Sequence, residues 1–381
     1  MMLARPLLVT TFAIFSAIAL TACSAAPSTP RQGSTTSSPT PESLEVVGTV
    51  WVANEEGNSL TVIDAATGEV VTTLAGIEAP HNVQASRDGA VTYAVSGHDN
   101  TVVAVDTTTY DVSAVESSGA SPAHVIDSAD GAKVYATSSA DGTVSVFGAP
   151  GLEPLGTIEI GGMPHGLRAA ANGSVIAVAN TAASTVDLLD PEADVVVAAI
   201  PVGGSPVQVA VDADGQFAYA SVAEPASVIK IDLQTREVVG SVVVSASPVQ
   251  IFLTPDGRTI VSADQGTSSA PGESLSVIDT ASMAIRGAVR TGSGPHGVVI
   301  DPSGTRAWVT NLYDDTLSVV DLPTLTVLET VMVGDMPNGV SFSSRKPAVA
   351  GSATIRLRIP TPSGNPPTHD ESMQMPMPDH E

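Results

Sequence analysis

The sequence predicts an all-β fold, a seven-bladed β-propeller with four antiparallel strands per blade, and two observations carry that prediction. Seven prolines, Pro80, Pro122, Pro164, Pro206, Pro248, Pro295 and Pro337, follow one another at intervals of 42, 42, 42, 42, 47 and 42 residues, each opening a short apolar run that ends in a turn. Within every interval lie further runs of strand length, rich in Val, Ile and Thr. A repeat of this length that contains only strand-like runs is what a propeller blade looks like in sequence.

The stretch from Val50 to Gly89 shows the order of elements. Trp51-Val52-Ala53 is a first run ending at Asn54, Leu60 to Ile63 a second ending at Asp64, and Val70 to Leu74 a third. A fourth, Asn82 to Ala85, enters after Pro80 and stops at Asp88-Gly89, a dipeptide that tolerates the positive φ of a tight hairpin. Asp64, Asp106, Asp190, Asp232, Asp279 and Asp321 end the second run in six repeats, and Gly148 breaks the series. The five extra residues of the longer interval fall between Gln265 and Glu273, where a surface loop lengthens at little entropic cost. The terminal repeats are complementary fragments: the chain enters at Val50 to Ala53 and leaves after Asn338 to Phe342, so the two pieces should complete one shared blade and remove the exposed edges of an open array.

With these marks in place, Trp308-Val309-Thr310-Asn311, Ala177-Val178-Ala179-Asn180, Ser274 to Thr280 and the Pro-His-Gly-Val of Pro295 to Val298 resemble the YVTN-type propeller repeats of secreted and surface proteins of bacteria and archaea. The resemblance covers roughly 46 to 343 and implies the propeller; members of that family have varied roles, so it implies no particular chemistry.

The domain organisation expected is a signal segment over 1–22, a Ser/Thr/Pro linker over 23–45, the propeller over 46–346, and a Pro-rich tail over 347–381 ending in a Met/His-rich segment. Arg5 precedes an apolar stretch from Pro6 to Leu20, and Leu20-Thr21-Ala22-Cys23 resembles the lipobox of bacterial lipoprotein signals. That resemblance makes Cys23 the lipidated first residue of the mature chain, anchored through membrane lipid on the extracytoplasmic face; several acyl chains are needed for lasting attachment. Cys23 is the only cysteine, so no disulfide, thiol catalyst or cysteine metal site is expected. From Ser24 to about Ser43 the composition cannot bury enough surface to fold. Beyond Phe342, the alternation of Ala353 to Ile359 fits one last strand.

A formal net charge of −25 repels phosphate backbones, and nucleic acid is excluded as a partner. No Gly-rich phosphate loop and no nucleophile with a matching base is visible, which argues against an enzyme without excluding one. The informative polar residues follow the repeating prolines, at the start of the strands that should line the central channel: His81, His165 and His296 one residue on, and His124, Gln208 and Gln250 two residues on, with Asn338 in the first of these positions. The loops that share this face carry Glu55, Glu56, His98, Asp99, Asp141, Glu224, Asp264, Asp314 and Asp315, an acidic collar.

Converging neutral imidazoles suit zinc or copper. Side chains one residue apart point to opposite faces of a strand, an alternation expected to turn His124 away from His81, His165 and His296. A repeat in which the imidazoles merely bond neighbouring backbone explains the same pattern. The tail packs His369, Met373, Met375, Met377 and His380 into a polar, Pro-rich segment, where thioethers at alternate positions are soft ligands suited to Cu(I), similar to the Met/His-rich stretches of bacterial copper-handling proteins. The expected function is a membrane-anchored binding module with copper or another soft metal as its ligand. Two alternatives stand beside it: a protein-interaction scaffold binding a partner on a propeller face, and a lactonase- or lyase-like propeller enzyme.

Overall fold

The computed structural model describes residues 46–362 of the 381-residue chain; Cys23 and the residues from His369 to His380 lie outside them. Among the described residues there are strands and no helices, arranged as seven sheets around a channel. In the first blade the order from the channel outwards is Pro80–Ala85, Val91–Ser96, Thr101–Asp106 and Val112–Ser117, each antiparallel to the last. The post-proline strand is therefore innermost, as the repeat predicts.

The recurrent Asp at the end of the third strand in six of the seven blades closes the turn that follows. Asp64 Oδ1 accepts from Ala66 N at 2.8 Å, Asp106 Oδ1 from Thr108 N and Thr109 N, Asp232 Oδ1 from Gln234 N and Thr235 N, and Asp321 Oδ1 from Thr324 N. A short carboxylate that bonds its own backbone two or three residues on is what such a turn needs.

Closure follows the expected route. Pro337–Ser343 is the innermost strand of the seventh blade and pairs antiparallel with Thr49–Asn54, setting Thr49 opposite Ser343 and Trp51 opposite Ser341. Ser59–Asp64 and Val70–Ala75 complete the four, so strands from both ends of the described chain share one sheet. Between blades the core is aliphatic with a few large rings: Trp308 stacks on Phe342 at 5.1 Å, and Trp51 meets Tyr110 edge-on at 6.1 Å.

Two details depart from the sequence reading. The extra residues of the fifth blade extend a hairpin instead of forming a loop: Thr259–Thr267 and Ala270–Asp279 stay paired out to Thr267 and Ala270 across a register shift after Asp264. Backbone pairing satisfies its own polar groups, which a loop of the same length leaves to water. The innermost strand of that blade is shortened to Ile251–Leu253. The seventh blade also gains a fifth strand, because Thr354–Arg356 pairs parallel with Val70–Ala75. The alternation of Ala353 to Ile359 is thus a strand at its centre, with Leu357 buried and Ile355 and Ile359 packed on the cluster of Leu74, Ile77 and Val115.

Candidate metal centre at the channel mouth

Five innermost strands are bulged next to their proline in the same way. The ladder shifts between Pro80 and Val83, Pro122 and Val125, Pro164 and Leu167, Pro206 and Val209, and Pro295 and Val298. A bulge sets two residues against one on the partner strand and re-aims a side chain. It corrects the expectation that alternation turns His124 away: His124 joins His81 and His165, and one ligating ring atom from each lies within 4.8 Å of the others.

The ring centroids of His124 and His165 are 4.8 Å apart, those of His81 and His165 5.4 Å, and those of His81 and His124 5.7 Å. His296 stands further off, 6.2 Å from His81. The residue two beyond the proline abuts the next inner strand. A Cβ on Gly166 would strike the Gln208 side chain, one on Gly297 the Asn338 carbonyl, and one on Gly339 would come within 2.7 Å of the Asn82 Cα. The recurring Pro-His-Gly step is therefore a packing requirement as well as a way of delivering an imidazole.

Each histidine of the trio is held through Nδ1. His165 Nδ1 donates to the Val207 carbonyl at 3.0 Å, while its own carbonyl accepts from Thr137 Oγ1 of the preceding blade at 2.7 Å. His81 Nδ1 lies 3.3 Å from Glu55 Oε1, and the other oxygen of that carboxylate accepts from Asn338 Nδ2 at 2.7 Å; Asn338 Nδ2 is also 3.1 Å from the His81 ring nitrogen. Donation from His81 Nδ1 to an ionised carboxylate leaves Nε2 with its lone pair, the arrangement that usually backs a metal-bound imidazole. His124 Nδ1 lies 3.4 Å from Gln208 Nε2, and Gln208 Oε1 is committed to the backbone N–H of Val209 at 2.8 Å. The amide therefore donates, and the His124 proton sits on Nε2. His81 Nε2, His124 Nε2 and Gln250 Nε2 are buried with no hydrogen-bond partner among the described residues. Buried polar atoms left this way cost about 1–3 kcal/mol each unless water or a ligand atom meets them.

Burial sets the electrostatics. It pushes the His124 imidazole well below its usual range, helped by the neighbouring His165 and His81, and it takes His165 down to about 4, with His81 adding to the shift and the Val207 carbonyl and Glu55 opposing it. Both rings are neutral at pH 7. For Glu55, burial acts to raise the carboxyl, but the His81 imidazole and the bonds from His81 and Asn338 outweigh it and hold the group down to about 2. Deeper on the same strand as His165, Arg168 is lowered to about 10 by burial against the opposing pull of Asp127.

The collar residues divide on contact. Glu55 reaches His81, a role that its place among nine loop residues did not single out. Asp141 accepts from Ala120 N, Asp314 from Ser293 N and Asp315 from Met336 N, each bridging to a loop 21 residues away in the chain, and Asp264 is taken up by Ser245, Ser262 and Ser276. His98 lies on an exposed turn, 3.2 Å from the Asp99 carboxylate, and does not join the trio. Gln250 faces the sixth blade, its Oε1 3.4 Å from Val298 N.

No family model matches the chain, and no curated protein matches it. Solved structures do. A protein of unknown function from Desulfotomaculum acetoxidans superposes with a TM-score of 0.67 at 15% identity, over 78% of this chain and 99% of that one. A protein from Bacteroides fragilis provisionally assigned as a 6-phosphogluconolactonase gives 0.66 at 18% identity, over 80% of this chain and 100% of its own. Hydrazine synthase of Kuenenia stuttgartiensis gives 0.62 at 19% identity, over 69% and 89%. At these identities the likeness shows the fold alone: the chain is a seven-bladed β-propeller.

Proposed function

We propose that the propeller binds a transition-metal cation at its channel mouth through His81, His124 and His165, with Glu55 and Asn338 backing His81. One observation carries this reading: three imidazoles from three blades, two of them kept neutral by burial, bring ligating atoms within 4.8 Å of one another. Nitrogens bound tetrahedrally at about 2.0–2.1 Å sit about 3.4 Å apart, so the rings must draw together by about 1.4 Å at the widest pair. At His124 the proton must also pass from Nε2 to Nδ1. Copper and zinc both suit such a donor set, and the sequence-derived Met/His tail favours copper.

Together with the lipobox at Cys23 and the YVTN-like repeat motifs, this gives a lipid-anchored extracytoplasmic metal-binding module. The fold shared with a protein assigned as a lactonase supports a second reading, a hydrolytic propeller acting at the same mouth. Calorimetric titration of the Cys23→Ala chain with zinc and copper tests the first. Binding that is lost in His124→Ala supports it; no heat and no shift in melting temperature with either metal overturns it. Lactone hydrolysis by the metal-free chain would favour the second.

A further inference from the structure

Deeper than the histidines, the channel wall carries a guanidinium. Arg168 follows His165 by three residues on Pro164–Ala169, about 10 Å further along the strand at about 3.3 Å per residue. Leu167 is buried in the core that the second and third blades share, and alternation turns Arg168 away from that core. His165 and Arg168 are both only partly buried, whereas Gly166 and Leu167 between them are buried, so solvent in the channel reaches both levels. The position four residues beyond the proline holds Gln84, Ile126, Ala210, Phe252, Val299 and Ser341 in the other blades. Arg168 is therefore the one charged side chain at its level.

Among the described residues nothing neutralises this guanidinium. Its Nη1 donates to the Leu167 carbonyl at 2.9 Å, a bond within its own strand, and no carboxylate of the described residues forms an ion pair with it. The chain has 40 acidic residues against 15 Lys and Arg, so partners of opposite charge were plentiful. Asp127, the carboxylate whose charge reaches Arg168, is engaged by Arg87 N at 2.9 Å. Titrating at about 10, Arg168 stays charged at pH 7, and its charge also reaches His124, where it helps to keep that ring neutral. A planar fork of N–H donors matches a carboxylate through two parallel bonds.

Resting on the reading of the mouth as a metal site, we propose that the channel takes a small dicarboxylate, one end on the metal at His81, His124 and His165 and the other on Arg168. Two positive centres at two depths of one channel select a ligand with two negative ends; a monocarboxylate satisfies one and leaves the other. The coupling has a definite sign. Without the ligand, Arg168 repels an incoming cation and weakens metal binding. A dicarboxylate held at both ends reverses that effect, and by reciprocity metal and ligand raise each other's affinity by the same factor.

The test is the zinc affinity of the Cys23→Ala full chain, read by competition with a fluorescent chelator, without added carboxylate, with acetate and with succinate, each corrected for zinc held by the anion itself. The same series is run on that chain carrying Arg168→Met. Succinate should strengthen zinc binding by about tenfold or more in the parent and by less than about twofold in Arg168→Met, with acetate giving less than about threefold in both. With no carboxylate present, the variant should bind zinc more tightly than the parent. Should Arg168→Met misfold, Arg168→Lys, which keeps the charge and loses the fork, takes its place and should cut the succinate effect by about threefold or more. Zinc binding that ignores succinate in both chains overturns the dicarboxylate site and leaves the metal site standing. An equal response in both chains overturns it as well, because the metal then reads the anion alone. A response to acetate as large as that to succinate overturns the two-ended ligand. No zinc bound by the parent under any of these conditions defeats the metal site itself and this proposal with it.

Discussion

His165→Phe should reverse the order of stability between variant and parent as pH falls, and the size of the reversal follows from the burial of one ring. The His165 imidazole titrates at about 4 in the folded protein, whereas an unperturbed histidine titrates near 6.5. Between those values the unfolded chain binds the proton and the folded one does not, so protons favour unfolding. The contribution of this residue to stability is complete above about pH 6.5 and is lost as pH falls to about 4. A difference of about 2.5 pKa units corresponds to on the order of 3 kcal/mol.

Phenylalanine removes the titration and also the 3.0 Å bond to Val207, which costs about 1 kcal/mol at every pH. The metal-free variant should therefore be about 1 kcal/mol less stable than the parent at pH 7.5 and about 2 kcal/mol more stable at pH 4. Urea denaturation of both proteins in chelator, at pH 7.5, 6, 5 and 4, reads the difference directly. Glu55 and the other carboxylates titrate in both proteins and largely cancel. A parent-minus-variant difference that stays constant over this range would mean that His165 is solvated in the channel, and the account of a site kept deprotonated by burial would fail.

Further outcomes follow from the same geometry. Gln208→Glu replaces the amide donor beside His124 Nδ1 with an acceptor, fixes the proton on Nδ1 and should tighten metal binding by about tenfold in calorimetry; weaker binding would show that His124 does not ligate through Nε2. Leu357→Ala should lower stability by about 2–3 kcal/mol, measured by urea denaturation, since Leu357 is 8% exposed and shares a cluster with Leu74 and Ile77; no change would detach the fifth strand from the fold. Cys23→Ala should release the protein from the membrane fraction and abolish incorporation of a labelled fatty acid.

The sequence alone determined the architecture. Seven prolines in register and the Asp that closes six of the turns encode hairpins through a few residues of local backbone, and the complementary end fragments show which strands must meet across the whole chain. That is why blade number, the innermost strand and the mode of closure could be read without coordinates. The site was only half legible. His81, His165 and His296 were marked by the repeat, but strand alternation argued against His124, because the bulge after Pro122 has no residue-level signal beyond the proline itself.

Glu55 could not be told apart from its eight companions on the loops. Whether a carboxylate bonds the backbone of a neighbouring loop, as Asp141 and Asp314 do, or bends inward to His81 depends on which tertiary neighbours stand next to it. The direction of Thr354–Arg356 was likewise a tertiary outcome. Alternation announces a strand and says nothing of which edge it joins; here the chain leaves Ser343 on one face, finds the free edge of Val70–Ala75, and can run along it only towards the histidines.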